Sequence, residues 1–438
     1  MGPKHRLQAV FAAVSVRLFT AVFAAYFSSV TVSAAAELRI LTSMSQAFFE
    51  PFIEAFEDRN PDISVIVLNK NTNASIAEIV RGNPRAFDIF WASSAEAFEV
   101  LNARDAFRRD NRGAQEGASG ANAAAAFYPF AYSSIGWAQR GDSAIMPPRQ
   151  WEDLLQDRYA GQIAMARPSR SGTAHMFVER FLQVRGWDEG WSYLLALTAN
   201  ISTLTSRSFG VVDGVEQQRF ELGITIDFLA QSRRDQGVSF SYGKPVMVIP
   251  AQIGLLKGGV SEQEAMAFIR FVLSDEGQTL LLMPSVWRVP VDDTIRQTAR
   301  NIPPEITYAL KLNWLQYDAL LARDRYWAVN ALFDQFITSR LPKRRLAWAK
   351  YREILARGDS RQSQDLARVK ALLTRMPVSE REAGDPILND SLTRLTALTG
   401  PTGFQQRSLT RWAIQAEELL IRAGNILEVL DKKGPNTR

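Results

Sequence analysis

Between Leu38 and Phe107 the apolar pattern of the chain changes period again and again, and few architectures accommodate that. "LRILTS" (Leu38 to Ser43) is a short apolar strand that ends in hydroxyls. "QAFFEPFIEAFEDRNP" follows, with Phe48, Phe49, Phe52, Ile53 and Phe56 at helical spacing. "ISVIVLN" is a β-branched strand, "NASIAEIVRG" a short helix closed by Gly82, "FDIFWAS" a third strand and "SAEAFEVLNARDAF" a third helix. A βαβαβ start of this kind requires a parallel sheet with helices on its faces. Ligands of such sheets sit beyond the carboxyl ends of the strands. Thr42, Ser43 and Ser45 hold that place after the first strand, and Ser93 and Ser94 hold it after the third.

The same grammar returns at "RPSRSGTAH", Arg167 to His175. This stretch gathers Ser169, Ser171, Gly172, Thr173 and His175 between a strand-like "GQIAMA" and a helix-like "MFVERFLQV". Free N–H groups at a helix start, with short hydroxyls and a glycine for close approach, make a seat for a phosphate or carboxylate. The plainer alternative is a helix cap and nothing more. Elsewhere "AYSSIGWAQR" reads as a strand, "QWEDLLQDRY" and "GWDEGWSYLLALTANI" as helices, and "SEQEAMAFIRFVLSDEGQTLLLM" as two helices. "VEQQRFELGITIDFLAQSRRDQG" joins helix, strand and helix, while "FSYGKPVMVIPAQIGLLKG" reads as two strands around a proline-marked turn. "GASGANAAAA" is a low-complexity surface loop.

Composition removes whole classes of function. The chain has no cysteine, which excludes disulfides, cysteine nucleophiles and thiolate metal sites. Its two histidines, His5 and His175, exclude a multi-histidine metal centre. Ser169, His175 and Asp213 supply the residue types of a hydrolytic triad. Yet the chain carries no G-x-S-x-G elbow, no P-loop and no glycine-rich dinucleotide fingerprint. Ser171 and His175 also read as consecutive parts of one cap and helix, a poor arrangement for nucleophile and base. The expectation is a protein that is not an enzyme and holds neither cofactor nor metal.

Residues 1–34 have a basic start (Lys4, Arg6), an apolar run from Leu18 to Val30 and a small-residue end at Val32-Ser33-Ala34. That is the pattern of a cleavable signal peptide and implies export to the periplasm. Charge is uneven along the rest. The tail from Asp293 carries a net +8 within a chain of net +5, and the body between signal and tail is net −6. An acidic body with a basic tail implies two parts with different tasks. No nucleic-acid motif accompanies the positive charge, so no nucleic-acid partner is expected.

The order of motifs from Glu37 to Asp292 resembles the periplasmic solute-binding proteins of ABC importers. The resemblance rests on "LTSMS", "FDIFWASS", "YAGQIAMARPSRSGTAH", "GWDEGWSYLLALTANI", "RSFGVVDGVEQQRFELGITIDFLA" and "AMAFIRFVLSDEGQTLLL", in that order. It is nearest to the branch that contains ferric-ion, phosphonate, hexose-phosphate and phosphoglycerate binders. It implies an α/β fold of two lobes, the type II periplasmic binding fold, closing around a solute. Residues 35–131 and 246–292 would form lobe 1, and residues 132–245 lobe 2. The resemblance makes Ser171, Gly172 and Thr173 ligand contacts, with Ser43 and Ser93 facing them from lobe 1. It also puts Asp213 where the family has polar ligand contacts. Asp227 follows the strand "LGITI". Each aspartate either accepts hydrogen bonds from hydroxyls or an amine of the solute or serves a turn or cap, and Asp213 favours the turn or cap. His175 either bonds the solute, making binding pH-sensitive, or packs.

The ferric members use an adjacent tyrosine pair, and the corresponding region here reads "TSRSFGVVDGV". A phosphorylated or phosphonylated small anion is therefore expected ahead of iron. The partners implied are that solute and an inner-membrane ABC permease or a sensor kinase, with the protein itself a monomer. Residues 293–438 form an all-helical extension in which Leu409, Trp412, Ala416, Leu419, Ala423, Ile426 and Leu430 repeat at three- and four-residue spacing. That stripe is either internal packing or a docking surface. The expectation is a separable module that contributes nothing to the site.

Overall fold

A computed structural model describes residues 35–109, 127–312, 317–389 and 403–432. The expected signal peptide (1–34) and the expected loop at 117–126 lie outside the described residues.

Among the described residues, nine strands alternate with the helices of the body: β1 (Ala36–Thr42), β2 (Ile63–Asn69), β3 (Ile89–Ala92), β4 (Phe127–Arg140), β5 (Ile163–Ala166), β6 (Ile201–Thr205), β7 (Leu222–Ile226), β8 (Val238–Leu255) and β9 (Val289–Pro290). They join in the order β2-β1-β3-β8-β4-β7-β5-β6, with β9 beside β4. At one end β1 pairs in parallel with β2 and β3, and at the other β5 pairs in parallel with β6 and β7. Between these two parallel sets run β4 and β8, antiparallel to each other and to their outer neighbours β7 and β3. They are 14 and 18 residues long. At about 3.3 Å per residue they reach roughly 45–60 Å, enough to pass through both parallel sets. The boundaries read from sequence, 131/132 and 245/246, fall inside these two strands.

"FSYGKPVMVIPAQIGLLKG" thus forms one strand, not two. Its pairing with β4 jumps from Gly136–Tyr242 to Ile135–Met247, so Gly243 to Val246 drop out of the ladder. Pro245 has no N–H to donate, and at that bulge none is required. "QWEDLLQDRY" also departs from expectation. It makes two 3₁₀ turns, Trp151–Leu155 and Asp157–Tyr159: a Gln150/Asp153 capping box opens the first, and the extended Gln156 ends it.

The body helices are α1 (Gln46–Arg59), α2 (Thr72–Val80), α3 (Ala95–Asn102), α4 (Gly172–Arg185), α5 (Trp187–Leu197), α6 (Phe209–Glu216), α7 (Asp227–Gln231), α8 (Glu262–Leu273) and α9 (Asp275–Leu280). In lobe 1 the period-two pattern of β1 sorts the core. Leu38 and Ile40 meet Phe48, Phe52 and Phe56 of α1 and Phe268 of α8 on one face. Leu41 meets Ile76 of α2 and Phe98 of α3 on the other.

The tail contains α10 (Asp293–Thr298), α11 (Pro304–Leu310), α12 (Ala319–Asp324), α13 (Tyr326–Phe336), α14 (Leu341–Ala356), α15 (Ser363–Thr374), α16 (Glu380–Ala383), α17 (Pro386–Asn389) and α18 (Gly403–Lys432). It is helical as expected, but it is not a separable module. One apolar cluster holds Met165 of β5, Phe181 of α4 and Trp187, Trp191 and Leu194 of α5, and also Val329 of α13, Trp348 of α14, Leu373 of α15 and Trp412, Ala416 and Leu430 of α18. The stripe on α18 is therefore internal. Lobe 2 leaves the outer face of α5 apolar, and the tail covers it. Polar groups seal the joint. Trp187 Nε1 donates to the Val378 carbonyl at 2.7 Å, and the buried Arg344 reaches Thr198 Oγ1 at 3.1 Å and the Leu195 carbonyl at 3.2 Å. Among the described residues no helix is long and apolar enough to cross a membrane.

Truncation after residue 312 should therefore expose Trp187 and Trp191 and leave an aggregating body. A soluble, monodisperse fragment with the parent melting temperature would contradict this. In the full chain, Trp412→Ala should cost about 3–5 kcal/mol of stability, measurable by denaturant titration.

Candidate ligand-binding site

The cleft between the lobes is built from helix starts. Ser45, Asn71, Ser94, Ser171 and Ser208 are the N-caps of α1, α2, α3, α4 and α6, and all five line one cavity. Asn71 Oδ1 accepts from Ala74 N at 2.9 Å, and Ser171 Oγ accepts from Ala174 N at 3.3 Å. Ser45, Ser94 and Ser208 make no such cap bond. First-turn N–H groups and the positive ends of five helices thus converge on one space. Around them the lining adds Ser43, Thr72, Ser93 and Thr173, two arginines (Arg170 and Arg207) and an apolar side made of Met44, Phe209, Phe228 and Leu229. Among the described residues no carboxylate or phenol lines the cavity.

A buried cation stands behind this lining. Arg288 is 2% exposed, and its Nη2 donates to Ser93 Oγ at 2.5 Å. Its guanidinium lies 3.8 Å from the ring centroid of Phe228 and 4.8 Å from that of Phe48. Nε and Nη1 find no hydrogen-bond partner among the described residues. Burial pulls the group down to about 9, against the attraction of Asp227, so it remains charged at neutral pH. Because Ser93 Oγ accepts from Arg288, its own hydrogen is free to point into the cleft.

The lobes touch across the cavity. Asn73 Nδ2 of α2 donates to the Ser169 carbonyl at 2.7 Å, and Arg207 Nη2 donates to Asn69 Oδ1 at 2.8 Å. At Gly172 the backbone of lobe 2 comes close to the side chains of lobe 1. A Cβ there would stand 2.6 Å from Thr72 Oγ1 and 2.9 Å from Ser94 Cβ, so only glycine fits.

The sequence profile of the bacterial extracellular solute-binding proteins matches residues 38–282. The chain belongs to that family. This solute-binding protein is 33% identical over 242 residues to the phosphoglycerate transport regulatory protein PgtC of Salmonella typhimurium; the match covers 55% of this chain and 59% of that one. A putative 2-aminoethylphosphonate-binding periplasmic protein of the same organism is 28% identical over 155 residues, covering 33% of this chain and 45% of its own. The chain thus spans about half the length of the curated relatives it matches. Among solved structures, the periplasmic binding protein AfuA of Actinobacillus pleuropneumoniae, with exogenous fructose-6-phosphate bound, superposes with a TM-score of 0.58 at 18% identity, over 68% of this chain and 98% of that one. The apo ferric ion-binding protein A of Pasteurella haemolytica gives 0.55 at 13% identity, over 68% and 97%. These two show a shared fold: two α/β lobes, to which this solute-binding protein adds its helical C-terminal region.

The structure gathers Ser43, Ser45, Ser93, Ser171, Gly172 and Thr173 around the cavity. It draws the other expected residues elsewhere. Thr42 is buried beneath the lining, where Oγ1 donates to the Trp91 carbonyl at 2.7 Å and accepts from Met44 N at 3.1 Å. Ser169 sits in a 3₁₀ turn and offers its carbonyl to Asn73. Asp213 pairs with Arg233 at 3.3 Å. Asp227 is fully buried and accepts from Ser134 N and Phe228 N, both at 2.8 Å, so it anchors α7 and the cavity residue Phe228. His175 faces away from the cleft. Its Nδ1 lies 3.1 Å from Asn330 Oδ1 and its ring 4.2 Å from that of Tyr326, both in the tail. Burial drives it down to about 3, which leaves it neutral near physiological pH and removes it as a switch there.

Several lining residues escaped the sequence reading. Asn71 and Thr72 follow β2, and Arg207 and Ser208 follow β6, so the strand-end rule applied to every strand would have found them. Arg288 carried only the weak signal of a charge inside the apolar run "VWRVP".

Two outcomes follow from this geometry. Gly172→Ala should hold the lobes apart, giving a larger radius of gyration in solution scattering while the far-UV circular dichroism of the parent is kept. Glu96, just inside α3, is fully buried; Ser94 Oγ and Tyr317 OH donate to it. Burial pushes its carboxyl up to about 7 from an ordinary 4.5, against those bonds. Between these values only the folded state keeps the proton, so this group lowers stability as pH rises from 4.5 to 7, by up to about 1.4 kcal/mol per pH unit. Glu96→Gln should therefore raise the melting temperature more at pH ~8 than at pH ~5.

Proposed function

We propose that this protein captures a small organic phosphate ester or phosphonate in the periplasm and presents it to an inner-membrane ABC permease. The observation that carries the reading is the composition of the cleft: helix starts, hydroxyls and two arginines, with no carboxylate or phenol among the described lining residues. A terminal phosphoryl or phosphonyl group offers three oxygens, and each charge-assisted hydrogen bond contributes about 1.5–3 kcal/mol. Arg288 adds a positive charge that water does not screen, behind Ser93. The net negative charge of the body does not oppose this, because local dipoles and buried charge set the field inside the cleft. Met44, Phe209, Phe228 and Leu229 give the carbon skeleton an apolar surface, which supports an organic ligand over inorganic phosphate. The names of the phosphoglycerate and 2-aminoethylphosphonate relatives support the same class.

A regulatory reading has support of its own. The relative of highest identity reported above is named a transport regulatory protein. Presentation to a membrane sensor kinase would use the same cleft and a different outer partner. Ferric ion fares worse, since the hard anionic oxygen ligands it prefers are missing from the described lining.

Calorimetry against 3-phosphoglycerate, fructose 6-phosphate, 2-aminoethylphosphonate, inorganic phosphate, citrate and ferric citrate tests the class. An organophosphate or phosphonate should bind tightest; tight ferric binding with no response to the phosphorus compounds would overturn the reading. Thr173→Val should weaken the best of these ligands by about 1–3 kcal/mol, roughly five- to a hundredfold, with little loss of fold. Unchanged affinity would make the α4 start a helix cap alone.

A further inference from the structure

The tail is fixed to lobe 2 and also reaches lobe 1. On the lobe 2 side the anchor is a buried ion pair. Arg325 Nη2 meets Glu179 Oε1 of α4 at 2.7 Å, with the two side chains 2% and 0% exposed. Asn330 holds His175 on the same helix. On the lobe 1 side two tyrosines make the contact. Tyr326 OH donates to Asn73 Oδ1 of α2 at 2.5 Å, and Tyr317 OH donates to Glu96 Oε2 of α3 at 3.1 Å. Helix α12 lies against α3.

Helix α13 shows the bridging most directly. Its first residue, Tyr326, belongs to the lobe 1 cluster with Leu41, Ile76 and Phe98. Three residues on, Val329 and its neighbours belong to the cluster of lobe 2 and the tail. Both lobe 1 contacts stand at the edge of the cavity. Asn73 follows the lining residue Thr72 and itself donates to Ser169 of lobe 2. Glu96 accepts from Ser94, which lines the cavity. A hydrogen-bonded chain thus runs from Tyr317 through Glu96 and Ser94 to the ligand seat.

We propose that residues 317–330 are an interlobe strap, in which Tyr317 and Tyr326 are positioning residues that hold lobe 1 in its closed placement against lobe 2. The inference rests on the cleft being the ligand seat and is independent of which anion it takes. Opening the lobes breaks both tyrosine hydrogen bonds and draws the Tyr326 ring out of the lobe 1 cluster. The strap raises the closed fraction, and apparent affinity scales with the fraction of molecules in the competent state. Ligand release is slowed by the same contacts.

The absence of cysteine makes the test direct. Ile66→Cys on lobe 1 and Met146→Cys on lobe 2 are exposed positions for two spin labels on the full-length chain. Pulsed electron resonance then reads the interlobe distance without ligand and with fructose 6-phosphate. Tyr317→Phe and Tyr326→Phe each remove one oxygen, and the double variant should shift the ligand-free distribution toward longer distances. For a phosphorus compound that binds, each single variant should weaken affinity about three- to tenfold, mainly through a faster off-rate. If Tyr326→Phe unfolds the protein, Tyr317→Phe alone, which leaves the apolar cluster intact, serves the same purpose. Distance distributions identical to the parent in folded variants would overturn the strap. A shift on substitution with no response to any phosphorus compound would keep the strap and overturn the anion reading.

Discussion

Strands β4 and β8 pair along most of their length, and both lobes are hung on that pair. Each lobe contributes its own parallel set of three strands, and neither set extends into the other. The lobes therefore share a backbone ladder but not a core: Leu38 and Trp91 belong to one cluster, Ile163 and Trp191 to another. Hydrogen bonding along β4 and β8 resists shear between the lobes, while the irregular pairing at Pro129/Ala131 and Ile135/Gly136 and the four-residue bulge opposite leave places to bend. A cleft lined from both sides, able to alter its width, is the direct result.

Polar groups in the cleft are held in place by ionisable groups that do not touch it. Asp227 sets the start of α7, Arg288 polarises Ser93, and Glu96 takes the hydrogen of Ser94. Burial pushes both carboxyls up to about 7 and pulls the guanidinium down to about 9. These groups make folding less favourable near neutral pH in return for fixed dipoles around the seat, a trade common at functional sites. Helix starts and hydroxyls line the cleft, and the buried ionisable groups behind them fix their orientation.

Much of this was legible in the sequence, for definite reasons. The change of period from Leu38 to Phe107 required a parallel α/β lobe, and hydroxyls at strand ends located Ser43, Ser93 and Ser171. Local patterns also placed the tail helices. What they could not show was orientation and depth. Nothing in "SGTAH" tells that one turn of helix carries Thr173 into the cleft and His175 into the core. Asp227 looked like a ligand contact because it ends a strand, yet two backbone N–H groups claim it first. The α18 stripe had the right spacing for burial, and it packs on α13, α14 and α15 of the tail; the face that α15 in turn covers, on α5, lies more than a hundred and fifty residues earlier in the chain. Pairings at that separation leave no periodic trace.

Helix α4 carries two tasks on one rod. Its first turn supplies Gly172 and Thr173 to the cleft, and two turns further along Glu179 grips Arg325. Fourteen residues of α-helix make a stiff element roughly 21 Å long, with no proline or glycine after its first residue to act as a joint. Compliance between the cleft and the tail is therefore low. Any force that a solute exerts on the first turn is delivered to the C-terminal region as a rigid displacement, with little lost to bending on the way.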